Sequence, residues 1–367
     1  MNQSDFMLKA VSLAMKGKGR TAPNPCVGAV IAAGNEIVGQ GFHRACGENH
    51  AEVEAINHAI LRGYDLSQCV LYVTLEPCNH FGKTPPCTQA ILKAGIRHVV
   101  IGALDPNPHV SGGGADFLAR SGVHVQSGIE EQKCQDLIAD FVVWNRTDRA
   151  YLYLKMASTL DGRIATSKGH SQWVTSDVSR KSVHELRSKV GAVIVGGNTF
   201  YQDNPRLTCR DSGAAFQPLA IIVTSRLPEP DMHYYLLTDR PRETIFWTDQ
   251  QTAQGNTAGK LKELGCEVIG LDRKGTGLDL AQGLSLLRQK NIYHALCEGG
   301  GLLGLSFLRA KLADELWYYM AMKILGDNQA KPVFDGNTPQ TMDEALSARL
   351  AETRIMGNDI LLKLFLS

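Results

Sequence analysis

The sequence lacks the features that would place the protein in a membrane or on a nucleic acid. No apolar run approaches the ~18 residues that a membrane helix needs, and the N-terminal stretch MNQSDFMLKAVSLAMKGKGR has no uninterrupted apolar core typical of signal peptides. Because Lys and Arg total 38 and Asp and Glu total 37, the formal net charge is only +1, which gives no overall attraction to a polyanion. We therefore expect a cytoplasmic protein that binds neither nucleic acid nor a membrane.

A disulfide framework is also not expected. The nine cysteines are an odd number, spread unevenly over a chain without an export signal, so metal binding or burial must account for them. The chain has no low-complexity segment and no internal repeat. With 44% apolar and 20% charged residues it has the composition of a folded globular protein. Its 367 residues predict two domains.

Helical and strand-like patterns alternate in both halves of the chain, which predicts an α/β protein. In the first half, a helix is expected near residues 4–17, followed by a hairpin of the strands CVGAVIAA and EIVGQGF around a Gly-Asn turn. The polar stretch NRTDR then precedes a new strand-like run, YLYLKMA. We therefore predict one domain over residues 1–147 and a second over residues 148–367.

The first half contains three potential zinc ligands. His50 opens a helical segment, Cys78 follows the strand-like run CVLYVTLE, and Cys87 comes nine residues later. Zinc accepts imidazole and thiolate ligands, and three protein ligands leave its fourth tetrahedral position open, which is typical of a catalytic rather than a structural site. Burial of two cysteines and a chance histidine would be the alternative explanation.

Glu52 lies two residues after His50. A His-x-Glu pair alone is more often an exposed pair at the start of a helix, but its combination with Pro77-Cys78 and a second cysteine is typical of zinc deaminases. In such a site the glutamate carries a proton from the attacking water to the amine that leaves as ammonia. We therefore expect Glu52 to be the acid–base residue of a deaminase.

The segments APNPCVGAV, HAE and PCNHFGKTPPC resemble the deaminase domain of the riboflavin-biosynthesis deaminase–reductase family over nearly all of residues 1–145. Eight residues, NHFGKTPP, separate the two cysteines instead of the common two, and this insertion is part of the resemblance. The resemblance implies a cytidine-deaminase-like α/β/α fold. It also implies substrate contacts from Asn24, His43, Lys83, Asp105 and Asn107. A lysine in the insertion would suit a substrate phosphate.

Near its end the chain has a strand-like run, IYHALCE, followed by a glycine-rich turn and an apolar helical pattern. Glycines before a helix allow backbone N–H groups to approach the phosphates of a dinucleotide. Gly299, Gly301 and Gly304 match G-x-G-x-x-G. The turn comes late in its domain, and no acidic residue is evident about 20 positions further on, so a plain Rossmann domain is disfavoured. A tight turn without a ligand is the alternative.

Residues 150–367 resemble the reductase half of the same family in four segments: LKMASTLDGRIAT, SQWVTS, VGGNTFYQDNPRLTCR and CEGGGLLGLSFL. The resemblance implies a dihydrofolate-reductase-like α/β fold and NADPH as cofactor. Implied NADPH contacts are Ala157, Trp173, Thr199, Asp203 and residues 300–306, including Gly300, Gly301 and Gly304. Implied substrate contacts are Ser171, Arg187, Leu207, Arg210 and Glu298.

The chemistry of the second site is only partly predictable. The guanidinium groups of Arg187 and Arg210 suit phosphoryl oxygens, which they can bind through two parallel hydrogen bonds. Two residues are candidates for the general acid of the reduction, Asp203 and Glu298, because they are the titratable residues near the implied pocket. Asn204 occupies a position that is acidic in many relatives, and we assign it no role.

These observations predict a bifunctional enzyme of riboflavin biosynthesis. One zinc ion per chain would serve hydrolytic deamination of a phosphoribosylated diaminopyrimidinone, and NADPH would then reduce its ribosyl group to ribityl. The partner is this small-molecule substrate, and the resemblance implies a homo-oligomer. Two alternatives stay open: a nucleoside or tRNA-base deaminase whose second domain only binds, and a scaffold with a structural zinc site completed by Cys46 or His80.

Overall fold

The computed structural model describes residues 1–81, 85–106, 113–210, 216–336 and 339–366. The chain divides into two compact units, Met1–Thr147 and Asp148–Ser367. Among the helices described, none is both long and apolar enough to cross a membrane.

The first unit alternates helices and strands along the chain. Its described elements are α1 (Gln3–Ala14), β1 (Gly28–Ala33), β2 (Glu36–Phe42), α2 (Ala51–Leu61), β3 (Val70–Leu75), α3 (Cys87–Lys93), β4 (His98–Ala103), α4 (Gly114–Arg120), β5 (His124–Ser127), α5 (Glu131–Leu137) and α6 (Ala139–Arg146).

The strands of the first unit form one sheet in the order β2-β1-β3-β4-β5. The predicted hairpin is present: β1 and β2 are antiparallel, and Gly34 in their turn has a φ of 56°, which favours glycine. Strands β3, β4 and β5 run parallel. This direction brings the carboxyl ends of β3 and β4 to the same edge of the sheet.

Both faces of this sheet are covered by helices. Because successive strand residues point to opposite faces, Ala29 and Ile31 of β1 pack on the side of α2 and α3, whereas Val30 and Ala32 pack on the side of α1. The first unit is therefore the α/β/α layered domain that the sequence predicts.

The second unit is a larger α/β assembly. Its described elements are β6 (Tyr151–Thr159), β7 (Arg163–Ala165), α7 (Asp177–Arg187), β8 (Ala192–Gly196), α8 (Gly197–Asp203), β9 (Leu219–Val223), α9 (Tyr235–Thr238), β10 (Thr244–Asp249), α10 (Gln250–Ala253), α11 (Asn256–Leu264), β11 (Glu267–Leu271), β12 (Arg273–Lys274), β13 (Gly277–Leu278), α12 (Leu280–Gln289), β14 (His294–Cys297), α13 (Gly301–Arg309), β15 (Glu315–Ala321), β16 (Lys331–Pro332), β17 (Ala348–Met356) and β18 (Asp359–Leu366).

Its main sheet has the order β11-β10-β9-β8-β14-β6-β15-β18-β17 over the described part of the chain. The strands from β11 to β15 are parallel, and the hairpin of β17 and β18 adds two antiparallel strands at one edge. Strands β8 and β14 are neighbours, and each is followed by a glycine-rich turn and a helix, α8 and α13. Two such turns therefore meet at one edge of the sheet.

Candidate active sites

Three chain segments bring His50, Cys78 and Cys87 together beside a cavity of about 320 Å³. His50 directly precedes α2, Cys78 lies three residues beyond the end of β3, and Cys87 is the first residue of α3. Across the ranges given above, no second group of three or more His, Cys, Asp or Glu side chains is close enough to hold a metal ion. The convergence results from the fold, because all three segments end or begin at one edge of the sheet.

The geometry of these three residues fits a zinc ion. The Nδ1 atom of His50 lies 3.2 Å from the Sγ atom of Cys87 and 3.6 Å from that of Cys78, and the three ligand atoms lie within 4.8 Å of one another. Ligand atoms in a tetrahedral zinc site, with bonds of ~2.0–2.3 Å, are roughly 3.5 Å apart. The backbone N–H of Cys87 also donates to the Cys78 sulfur (3.4 Å), which orients that ligand.

The protonation of the cluster also suits a cation. A hydrogen bond from Cys87 lowers the pKa of the Cys78 thiol to about 4 and raises the pKa of Cys87. A hydrogen bond to Cys78 raises the pKa of His50. The ligand atoms therefore share protons that a divalent cation would displace, because zinc binds thiolate and neutral imidazole.

Glu52 lies beside this cluster in the first turn of α2. Its side chain is only 3% exposed, lines the cavity and is in hydrogen-bond contact with the side chain of Cys87. Burial, reinforced by the negative charge of Cys78, raises the pKa of Glu52 to about 7. The carboxyl group is therefore next to the ligands and faces the cavity in which a substrate could bind.

Replacing Cys87 with serine is expected to reduce zinc retention strongly, because the hydroxyl is a much poorer ligand than the thiolate. Zinc per chain after dialysis, measured by atomic absorption, checks this expectation. Cys46→Ser is the matched control, since Cys46 lines the same cavity but lies outside the three-residue cluster. Unchanged zinc content in Cys87→Ser would remove Cys87 from the ligand set, and zinc loss in Cys46→Ser would indicate a four-ligand structural site.

His43 and Asn24, both expected to contact substrate, line the cavity and contact each other. The buried His43 ring lies 3.1 Å from the Asn24 amide nitrogen at Nε2 and 3.1 Å from the Asn49 carbonyl oxygen at Nδ1. Burial lowers the pKa of His43, which favours a neutral ring that donates from Nδ1 and accepts at Nε2. Because both ring nitrogens have protein partners, His43 orients Asn24 toward the cavity.

Asp105 also lines the cavity, next to Glu76. The Glu76 carboxylate accepts hydrogen bonds from the backbone N–H groups of Asp105 (3.0 Å) and Ala115 (2.9 Å), so it holds Asp105 close to the end of β4. The remaining two residues for which we expected substrate contacts, Lys83 and Asn107, lie outside the described residues.

The second unit has a cavity of about 1160 Å³ and, adjoining it, one of about 530 Å³. The larger cavity is lined by nine of the residues for which we expected cofactor or substrate contacts: Ala157, Ser171, Trp173, Arg187, Thr199, Asp203, Arg210, Glu298 and Gly300. Gly301 lines the smaller one. Leu207 and Gly304 line neither of these two cavities. Leu207 is buried, and Gly304 lies within α13, where an added Cβ atom would be 3.3 Å from the Met156 sulfur.

Close backbone approach explains two glycines of the G-x-G-x-x-G pattern. A Cβ atom on Gly299 would lie 2.7 Å from the Gly196 nitrogen, and one on Gly301 would lie 2.7 Å from the Val333 carbonyl oxygen. The segment after β14 therefore needs glycine for packing. Gly196, Gly197, Gly300 and Gly301 together line the smaller cavity, which leaves main-chain groups facing it.

Arg187 and Glu298 form an ion pair within the larger cavity. The Nε and Nη2 groups of Arg187 donate to the two carboxylate oxygens of Glu298 at 2.5 and 2.7 Å, and Nη1 donates to the Thr208 carbonyl at 3.0 Å. Burial favours a high pKa for Glu298, but Arg187 outweighs burial and holds the pKa below its ordinary value. Glu298 is therefore ionised, and the guanidinium that we expected to bind phosphate is largely engaged by protein acceptors.

Sequence reasoning missed Lys155, which lines the same cavity from β6. Burial lowers its pKa, and the nearby Glu298 counteracts this effect while Arg187 adds to it. A signal was present, because Lys155 is the charged residue in the otherwise apolar and aromatic run YLYLKMA, and lysine is rarely placed in a strand core without a partner.

Comparison with known proteins finds two families along the chain. The family described as cytidine and deoxycytidylate deaminase zinc-binding region matches residues 1–103. The family described as RibD C-terminal domain matches residues 150–362. The two matches fall in the two structural units.

Similar proteins extend over nearly the full chain. The riboflavin biosynthesis protein RibD of Aquifex aeolicus is 39% identical, with 98% of this chain and 97% of the relative covered. Among solved structures, a diaminohydroxyphosphoribosylaminopyrimidine deaminase/5-amino-6-(5-phosphoribosylamino)uracil reductase from Thermotoga maritima is 34% identical, with a TM-score of 0.78 and coverage of 99% and 98%. Acinetobacter baumannii RibD is 33% identical, with a TM-score of 0.75 and coverage of 99% and 98%.

Proposed function

Because the chain belongs to the RibD family of bifunctional deaminase–reductases of riboflavin biosynthesis, we propose that the unit Met1–Thr147 carries the deaminase and the unit Asp148–Ser367 the reductase. The observation that carries the deaminase assignment is the cluster of His50, Cys78 and Cys87 next to the buried Glu52. Each unit has a cavity of its own, lined by different kinds of side chain, which suits two chemically different steps.

The deaminase substrate in this proposal is a phosphoribosylated diaminopyrimidine, as in the name of the Thermotoga relative. His50, Cys78 and Cys87 would hold zinc, which when bound supplies the Lewis acidity that activates water for attack on an amine-bearing ring carbon. Glu52 takes a proton from the water and delivers it to the departing amino group. Asn24, oriented by His43, and Asp105 bind the pyrimidine edge.

The reductase proposal places NADPH against the glycine-rich turns and the substrate against α7. When bound, NADPH supplies a hydride to the anomeric carbon of the ribosyl group. The ring C–O bond breaks, and the released ring oxygen needs a proton. Glu298 is a poor donor because Arg187 keeps it ionised. We assign this proton to the ammonium group of Lys155, whose lowered pKa makes it a better acid than an ordinary lysine.

Homology over the whole chain argues against the two alternative functions raised by the sequence. A nucleoside or tRNA-base deaminase with a merely binding second half does not account for the likeness to the Thermotoga relative, whose name gives both a deaminase and a reductase and which aligns with 99% of this chain. A scaffold with structural zinc does not account for a three-ligand cluster beside a buried glutamate. The expected homo-oligomer stays a prediction, which sedimentation of the zinc-loaded protein checks.

A two-step assay tests the proposed function. Purified zinc-loaded protein receives the phosphoribosylated diaminopyrimidinone, and ammonia release is followed first, then NADPH oxidation by the loss of its absorbance. We expect ammonia without added cofactor, and NADPH oxidation only after deamination. Ammonia release without NADPH oxidation would contradict the reductase assignment, and NADPH oxidation without prior ammonia release would contradict the proposed order of the steps.

A further inference from the structure

Helix α7 meets the sheet of the second unit through an unusually polar face. Its buried residues, Ser179, Ser182, Val183 and Leu186, follow the helical spacing of one stripe, and two of the four are serines. Val183 packs in a small cluster with Tyr319, Met356 and Leu361, and the Ser182 hydroxyl lies 2.9 Å from the Tyr319 hydroxyl. Because two of the four buried positions are serines, directional hydrogen bonds contribute to the position of this helix.

The most concentrated of these hydrogen bonds converge on Asp359, the first residue of β18. One carboxylate oxygen of Asp359 accepts from the Ser176 backbone N–H (2.8 Å), the Ser176 hydroxyl (2.7 Å) and the Ser179 hydroxyl (2.6 Å). Asp359 is 4% exposed and Ser179 is 1% exposed. Leaving these buried donors without an acceptor would be costly. Ser176 is the N-cap of α7, so Asp359 fixes the start of the helix.

The adjoining side of α7 supplies a large part of the reductase cavity. Five polar residues of the helix line it: Asp177, Arg180, Lys181, His184 and Arg187. Arg187 forms the ion pair with Glu298, and His184 accepts from the backbone N–H of Arg210 (3.3 Å). Since 11 residues of helix span ~16 Å, a displacement of the anchored end moves every one of these side chains.

We infer that Asp359 is a positioning residue for the pyrimidine substrate of the reductase, an inference that rests on the proposed reductase function. Asp359 lines neither of the two cavities of the unit, so it acts through Ser176 and Ser179. The residues expected to contact NADPH lie mainly on β6, α8 and the turn before α13, apart from Trp173, whose ring is contacted by Arg180 of α7 (4.4 Å). Loss of Asp359 therefore weakens substrate binding more than cofactor binding.

The test compares Asp359→Ala and Asp359→Asn in the full-length, zinc-loaded protein, with NADPH and deaminated substrate. We expect the alanine variant to raise KM for the pyrimidine about tenfold, since small misplacements of binding groups have large kinetic effects, with KM for NADPH changed by less than about threefold. The asparagine variant restores most of the wild-type KM, because its amide oxygen can accept two of the three hydrogen bonds and the Ser176 hydroxyl can donate to the Met356 carbonyl instead (3.3 Å). Deamination by the same chain stays unchanged.

Asp279→Ala is the matched control. Asp279 caps α12 by accepting a hydrogen bond from the Ala281 backbone N–H (3.1 Å), so its loss costs a comparable helix cap, but α12 contributes no residue to the reductase cavity. We expect a modest loss of thermal stability and no change in KM. If Asp359→Ala does not fold, Ser179→Ala, which removes one of the three donors, is expected to raise KM about threefold.

The outcomes separate the inference from the function on which it rests. Wild-type protein that fails to oxidise NADPH with deaminated substrate overturns the proposed function. An active wild type with the same KM in Asp359→Ala as in Asp279→Ala overturns the inference. Equal increases in KM for NADPH and for the pyrimidine also overturn the inference, because they indicate general damage to the unit. If Asp359→Ala does not fold, an unchanged KM for the pyrimidine in Ser179→Ala overturns the inference.

Discussion

Replacing Glu52 with glutamine will lower kcat for deamination by about 10³-fold, which is within the range for loss of a general acid–base residue. Glutamine has the shape of glutamate, so it fits the buried position beside the Cys87 thiol, but it cannot take a proton from water and pass it to the leaving amine. Zinc content and reduction of supplied deaminated substrate stay unchanged. Ammonia release, zinc per chain and NADPH oxidation measured on one preparation check all three expectations.

Glu54→Gln is the control for this substitution. Glu54 belongs to the same first turn of α2 but accepts a hydrogen bond from Asn49 (2.9 Å) and pairs with Arg44, and it does not line the cavity. We expect deamination within about twofold of wild type, because exposed ion pairs contribute little. A Glu52→Gln variant that keeps more than a small fraction of deamination, or that loses its zinc, would contradict the role assigned to Glu52.

Replacing Lys155 with methionine will lower kcat for the reduction by about 10²-fold or more, while NADPH still binds. Methionine matches the length of the lysine chain and suits the half-buried strand position, but it carries no proton to donate to the ring oxygen. Single-turnover oxidation of bound NADPH measures the chemical step, and quenching of protein fluorescence measures cofactor binding. Reduction at the wild-type rate would remove Lys155 from the mechanism.

The pH dependence of the reduction gives a second test of Lys155. The protonated form is the active one, so activity is present below the pKa of Lys155 and is lost as pH rises through it. Because burial lowers this pKa, the alkaline limb should lie below the ordinary lysine value of ~10.4, and Lys155→Met should lack that limb. Lys290→Met is the control, because Lys290 pairs with Glu267 on an exposed surface and should leave both rate and limb intact.

Local motifs let the sequence predict the first site, whereas the second depends on contacts between distant segments. His50 and Glu52 are two residues apart, and Cys78 and Cys87 both follow the strand β3. Short sequence motifs are therefore enough to predict that these residues meet at one edge of the sheet. The ion pair of Arg187 with Glu298 joins residues 111 positions apart, and no local pattern reports it. The sequence therefore indicated that Arg187 lies near the substrate but not that its guanidinium is engaged by a carboxylate.

For the glycine-rich turn the sequence left two explanations open, a phosphate cradle and a tight turn without a ligand. The pattern Gly299, Gly301, Gly304 suggested a phosphate cradle, but in the structure each of these glycines also relieves a close contact with backbone or a buried side chain. The first helix of the chain is also shorter than the sequence predicts. The helix expected near residues 4–17 ends at Ala14, and Gly17, where a Cβ atom would lie 2.3 Å from the His43 carbonyl oxygen, belongs to the turns that follow. Close approach between distant segments leaves no periodic pattern in the sequence.

The strand order of the second unit has a consequence for how the protein is made. Strand β6 opens the unit, but its two neighbours, β14 and β15, come after residues 160–293 have been added to the chain. During translation β6 has both edges unpaired for most of that time, and unpaired strand edges promote aggregation. The first unit needs no such distant partner, since β5 completes its sheet soon after β4. Ribosome pausing within residues 160–293 would therefore expose the reductase half, rather than the deaminase half, to chaperones.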